Sequence, residues 1–141
     1  MPRASKNSAS ENVELDGYEG HIENFEGGYT VAFETYTADA DLTPLFAGLP
    51  DDRCQCVHWG YVVKGKLTFK TDNGDETFVA GDAYYVGPGH TPVLYAGTEV
   101  VEFSPTKELM ETFAVVEKNM VEFSYDQGVY AKAKEVWGSG V

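Results

Sequence analysis

Positive charge is what this chain has least of. Against 23 Asp and Glu it carries only 10 Lys and Arg, a formal net charge of -13 over 141 residues, and no Lys/Arg cluster offsets that balance locally. Such a surface repels a phosphate backbone and an anionic bilayer alike, which argues against nucleic-acid and membrane partners. Long apolar runs are also missing. Nothing approaches the ~20 consecutive apolar residues of a membrane span, and Met1 to Glu11 is polar where a secretory signal needs an apolar core, so a cytoplasmic location is expected. Cysteine is scarce. The two present, Cys54 and Cys56, cannot form a disulfide framework, and alternate residues of a strand stand about 6.5–7 Å apart, at the edge of what a disulfide bridges. The length suits one domain with a real core and is short for two.

The two cysteines lie in Cys54-Gln55-Cys56-Val57-His58-Trp59-Gly60-Tyr61-Val62-Val63-Lys64-Gly65, which puts three metal-ligating side chains at every second position. Val, Trp and Tyr favour an extended segment ending at a Lys64-Gly65 turn. Since positions two apart share a face of a strand, Cys54, Cys56 and His58 are expected on one side of the chain, with Gly60 and Val62 beside them. Val57, Trp59, Tyr61 and Val63 then face the other way. A metal, a reactive thiol and plain packing are all open for the cysteines.

Short strand-like runs separated by turn signals occupy most of the remaining sequence. Strands are expected over 28–37, 54–63, 66–70, 76–80, 83–86, 91–95 and 99–103, with Pro44, Gly48 and Pro50 marking an irregular connection over 38–52. Asp72-Asn73-Gly74-Asp75 reads as a hairpin turn. This density of short strands predicts an antiparallel barrel or sandwich. Ser104 as N-cap and Pro105 at the first helical position predict a helix over 105–119, whose apolar stripe of Leu109, Phe113, Val116 and Met120 packs on the barrel. Residues 1–17 read as a flexible arm, 18–120 as the barrel with its helix, and 121–141 as a tail holding a short helix near 129–136 with Trp137 as anchor. Glu34 and Glu102 fall within strands and could face inward as acid or base groups, but exposed strand faces carry Glu often enough that both are left out of the candidate site.

Through Tyr61-Val62-Val63-Lys64-Gly65-Lys66-Leu67 and Gly81-Asp82-Ala83-Tyr84-Tyr85-Val86-Gly87-Pro88-Gly89-His90, the chain resembles the cupins. The match covers residues 28–104 and looks specifically like small single-domain bacterial cupins with a Cys-x-Cys-x-His-Trp-Gly-Tyr stretch. It implies an all-β double-stranded β-helix, the jelly-roll barrel, here with a C-terminal helix. Aligned on Gly65, the position of the family's liganding Glu falls at His58 and its two His positions at Asp52 and Cys54; aligned on Gly81, its later liganding His falls at Pro92. None of the four usual ligands is therefore the usual residue. Either the metal has been lost, or the ligand set has changed to Cys54, Cys56, His58 and His90.

The second alternative gives the preferred expectation, a divalent metal site of Cys54, Cys56, His58 and His90. Thiolate with imidazole suits zinc best, with iron, nickel or copper as replacements. His90, stiffened between Pro88 and Pro92, is expected as ligand or as the catalytic proton-transfer group. The protein then binds or transforms a small organic molecule inside the barrel; the alternative is a metal-free binding or sensor module without chemistry, and whether it is an enzyme stays open. Because Trp59 and its outward neighbours are too apolar to stand alone in water, a homodimer is expected with Trp59 at the contact.

Overall fold

The computed structural model describes residues 1–127. Among these residues the strands, in chain order, are β1 (Glu11–Leu15), β2 (Tyr18–Phe25), β3 (Tyr29–Tyr36), β4 (Ala40–Asp41), β5 (His58–Lys64), β6 (Lys66–Thr71), β7 (Gly74–Val79), β8 (Ala83–Val86), β9 (Thr91–Leu94) and β10 (Thr98–Pro105), followed by helix α1 (Thr106–Gln127). They form a six-stranded sheet in the order β1-β2-β3-β10-β5-β8 and a four-stranded sheet in the order β4-β9-β6-β7. Every pairing is antiparallel. The chain changes sheets at Lys64-Gly65, so β5 and β6 face each other across the core instead of pairing. No helix among the described residues is long and apolar enough to cross a membrane.

The core between the sheets follows from strand alternation. Val62 and Val100 point in from the larger sheet, and Leu67, Phe69 and Leu94 from the smaller one. Each fully buried side chain of this size contributes about 1.5–3 kcal/mol. Along β5, His58 and Val62 are buried while Trp59, Tyr61 and Val63 are exposed, as its alternation predicts. The 38–52 connection carries two short 3-10 turns, Thr43–Phe46 and Pro50–Asp52, which swing Phe46 toward α1. Asn119 of α1 locks this contact, its side-chain amide donating to the carbonyls of Leu45 (2.9 Å) and Ala47 (2.7 Å).

Several expectations need correction. Residues 11–15 are a strand, β1, with Val13 packed on Ile22 and on Phe113 and Met120 of α1. The extended segment expected from Cys54 begins only at His58; Cys54 makes an isolated bridge with His90 instead. Ser104 does not cap the helix, because Ser104 and Pro105 are the last residues of β10 and α1 starts at Thr106. Its hydroxyl is buried and bonded to His58. On β6, where Lys66, Thr68 and Lys70 alternate with Leu67 and Phe69 as a wet face would, Thr68 is instead buried against the hydroxyls of Thr77 and Tyr95. The helix expected near 129–136 and Trp137 lie outside the described residues.

Candidate metal centre and cavity

His58 opens β5 with its ring turned between the sheets. His90 comes from the loop before β9, and three backbone bonds tie it to the chain entering β5: Cys54 N–H donates to the His90 carbonyl at 2.8 Å, and the Gly89 and His90 N–H groups donate to the Cys54 carbonyl at 2.8 and 3.3 Å. This clamp brings Cys54, His58 and His90 together, all three buried, with one donor atom from each inside a 4.8 Å span. Cys54 Sγ stands 3.6 Å from His58 Nε2. Donors around one tetrahedral zinc, at about 2.3 Å for sulfur and 2.0–2.1 Å for nitrogen, stand roughly 3.3–3.6 Å apart. Small side-chain adjustments therefore suffice to place all three on one ion. Cys56 is buried nearby but does not join this group; its thiol donates to the Val57 carbonyl at 3.4 Å.

Both rings are oriented through their other nitrogen. His90 Nδ1 lies 2.6 Å from the Gly87 carbonyl, which can only accept, so Nδ1 carries the proton. Burial holds His90 down at about 4, with neighbouring His58 adding to the effect. The ring is thus neutral and its Nε2 lone pair is free. His58 Nδ1 meets Ser104 Oγ at 2.6 Å and Glu102 Oε1 at 3.4 Å. Burial likewise brings His58 down to about 4, so its ring is neutral and its contact with Glu102, whose carboxyl burial pushes well above the usual range, is a polar one, not an ion pair. A carboxyl or carbonyl behind each imidazole is the arrangement that orients metal-binding histidines. Burial also pushes Cys54 up to about 11, so the thiol keeps its proton until a cation displaces it.

The three residues open on a cavity of about 620 Å³ inside the barrel, walled largely by apolar side chains including Phe46, Leu67, Phe69, Leu109, Phe113 and Val116. The α1 stripe predicted as core packing thus also roofs a chamber. Two acids face the same space, Glu34 from β3 and Glu102 from β10. The Tyr84 hydroxyl donates to Glu102 at 2.5 Å, and the hydroxyls of Tyr18 and Tyr36 donate to Glu34 at 2.5 and 3.2 Å. Glycines make room for two of these rings. A Cβ at Gly60 would sit 2.2 Å from Tyr84 Cζ, and one at Gly20 would sit 2.6 Å from Tyr18 Oη. Gly60 pairs with both Tyr84 and Glu102, and Gly20 with Glu34, so each tyrosine lies across a glycine to reach its acid. Glu34 and Glu102 thus point inward, the orientation the sequence left open, and belong to the cavity from which they were left out. Glycine inside a strand, a mark of close approach, is the signal in the sequence that could have placed them.

No family model matches the sequence, and no curated protein does. Solved structures do resemble it. An RmlC-like cupin from Shewanella frigidimarina NCIMB 400 superimposes with a TM-score of 0.51 at 17% identity, over 74% of this chain and 92% of the other. The polyketide cyclase RemF from Streptomyces resistomycificus gives 0.55 at 12% identity, over 75% and 80%. Ectoine synthase from P. lautus gives 0.53 at 13%, over 74% and 78%. Two antiparallel sheets closing on a chamber, with these likenesses, show the jelly-roll fold of the cupins, here with a C-terminal helix.

Proposed function

We propose that this protein holds one divalent metal ion, zinc by preference, on Cys54, His58 and His90, and that it binds or transforms a small organic molecule in the adjoining cavity. The observation that carries the reading is the convergence of a thiol and two imidazole nitrogens, with each ring's Nδ1 held by a hydrogen-bond partner, on the wall of a chamber large enough for a small ligand. One sulfur and two nitrogens suit zinc, with iron or nickel as alternatives, and three protein ligands leave a position for water or ligand. When bound, such an ion polarises a carbonyl or activates water. His90 serves here as a ligand; the proton-transfer role expected for it needs the same Nε2 and competes with ligation. Cys56 falls outside the set of donors in this reading. A polyketide cyclase and a synthase are among the similar structures, which supports the cavity as the working site.

Metal analysis of protein purified without a histidine tag is the test. About one ion per chain, lost in His58→Ala with the barrel still folded, is the expected result, because loss of a ligand lowers affinity sharply while one imidazole contributes modestly to a core of this size. Metal-free wild type that also takes up no added zinc points to the binding or sensor module instead. The exposed aromatic face of Trp59, Tyr61, Tyr85 and Phe103 supports a homodimer through that sheet, and the net charge of -13 supports the absence of nucleic-acid partners.

A further inference from the structure

Glu34 stands apart from the metal cluster. Glu102 has an evident task behind His58, whereas Glu34 bonds to Tyr18 and Tyr36 and faces the cavity. Structural carboxylates inside proteins are normally neutralised by Lys or Arg, and among the described residues neither lines this chamber. Nothing therefore commits Glu34 to a permanent ion pair. Tyr18 and Tyr36 each occupy one lone pair of a different carboxylate oxygen, so acceptor capacity remains on both.

We infer that Glu34 is the general base of this cavity, and in its protonated form the general acid, for a small, largely uncharged organic molecule with an acidic C–H or O–H beside an oxygen donor. The apolar wall favours such a body, and five acids (Asp16, Glu34, Asp39, Asp41 and Glu102) with no Lys or Arg among the lining residues disfavour an anionic one. The inference rests on the proposed reading in that the ligand occupies this cavity, and deepens it by naming proton transfer as the reaction class. The titratable groups around Glu34 are Tyr18 from β2, Tyr36 on its own strand, Glu102 from β10 and, beyond Glu102, Tyr84 from β8 and His58 from β5. The tyrosines are all held protonated well above their usual value, so at neutral pH they donate to Glu34 without competing as bases. Burial, with the neighbouring Glu102 charge, raises Glu34 itself well above the carboxylate range, which brings its two protonation states into working reach near neutrality.

The test uses a nitro-substituted benzisoxazole as probe, with the full-length protein as purified and after chelator treatment. The base takes the ring C–H proton; that electron pair closes the nitrile, the N–O bond breaks, and the phenolate leaves as a coloured ion, with Glu34 later returning its proton to water. No metal and no redox partner is needed. Expected are turnover above that of free acetate at equal carboxylate concentration, a loss of about a hundredfold or more in Glu34→Gln, and turnover retained in Glu76→Gln, which alters an exposed acid of β7. Tyr18→Phe, which keeps the carboxylate, should move the pH of half-maximal rate upward, since it deletes a donor to the ionised form. Turnover no faster than acetate, or unchanged in Glu34→Gln, or a Tyr18→Phe profile identical to wild type, overturns the inference. Stoichiometric zinc binding alongside absent turnover removes the base and leaves the metal reading standing; turnover in a protein that takes no metal does the reverse.

Discussion

Gly60→Ala is the sharpest perturbation of this site, because Gly60 lies between Tyr84 and Glu102 in one row across three strands. An added Cβ would stand 2.2, 2.4 and 2.6 Å from Tyr84 Cζ, Oη and Cε1, inside any tolerable contact. The ring has nowhere to retreat. It is buried, stacked on Phe78 at 5.0 Å between centroids and tilted against Phe69 at 5.6 Å. Forcing an extra methyl into such packing costs about 1–3 kcal/mol. Pulling the hydroxyl off Glu102 leaves a buried acceptor short of a donor, a further cost of about 1–3 kcal/mol, while the alanine recovers about 0.5–1 kcal/mol of glycine's backbone entropy. The net expectation from these ranges is a loss of roughly 1–5 kcal/mol, centred on about 3, read as a lower urea midpoint at unchanged slope. Gly87→Ala is the control: its nearest added contacts, to Tyr85, are at 3.7 and 3.8 Å, so it should stay within about 0.5 kcal/mol of wild type. Equal stability of Gly60→Ala and wild type would refute the idea that the ring is locked over the glycine to hold the acid behind His58.

The remaining predictions concern protons and association. Zinc binding near neutral pH should release one proton per ion, from Cys54, because both histidines are already neutral. Calorimetry in buffers of different ionisation enthalpy reads the number, and two protons would bring Cys56 in as a second thiolate. In metal-free protein, His58 and His90 at about 4 destabilise the fold as pH drops below their unfolded value near 6.5, since the unfolded chain takes up protons that the folded one refuses. Glu34 and Glu102, raised in the folded state, act with the opposite sign and stabilise it as pH falls toward their unfolded value. The two effects offset in wild type between about pH 6.5 and 4.5. Glu34→Gln should lose stability relative to wild type across that window, by up to about 1.4 kcal/mol per pH unit; parallel urea midpoints for the two proteins would contradict it. Trp59→Glu should turn a dimer into a monomer by light scattering at micromolar concentration, and a wild type already monomeric there removes the dimer.

The barrel is legible in the sequence because its evidence is local. His58, Gly60 and Val62 against Trp59, Tyr61 and Val63 is a pattern that one strand reveals by itself, and it survives in the fold. Cys54 and Cys56 show where that logic stops: the alternate-face argument needs an extended segment, and the backbone at Cys54 spends its bonds on His90 and Gly89 instead. That clamp still delivers Cys54 to His58, but for a reason no spacing contains, and Cys56 is left out. Glu34 and Glu102 expose the deeper limit. Strand period says which residues share a face, and only the partner sheet says which face is dry. A glutamate pointing inward looks the same in sequence as one pointing out until something shows that its row is crowded. Gly20 and Gly60 carry that information, because a strand on an open wet face has no need to give up a side chain where a tyrosine must pass. Glycine opposite a strand glutamate, with tyrosine two positions before that glycine or across from it, is therefore the pattern that marks this inward-facing acid pair in the amino-acid sequence.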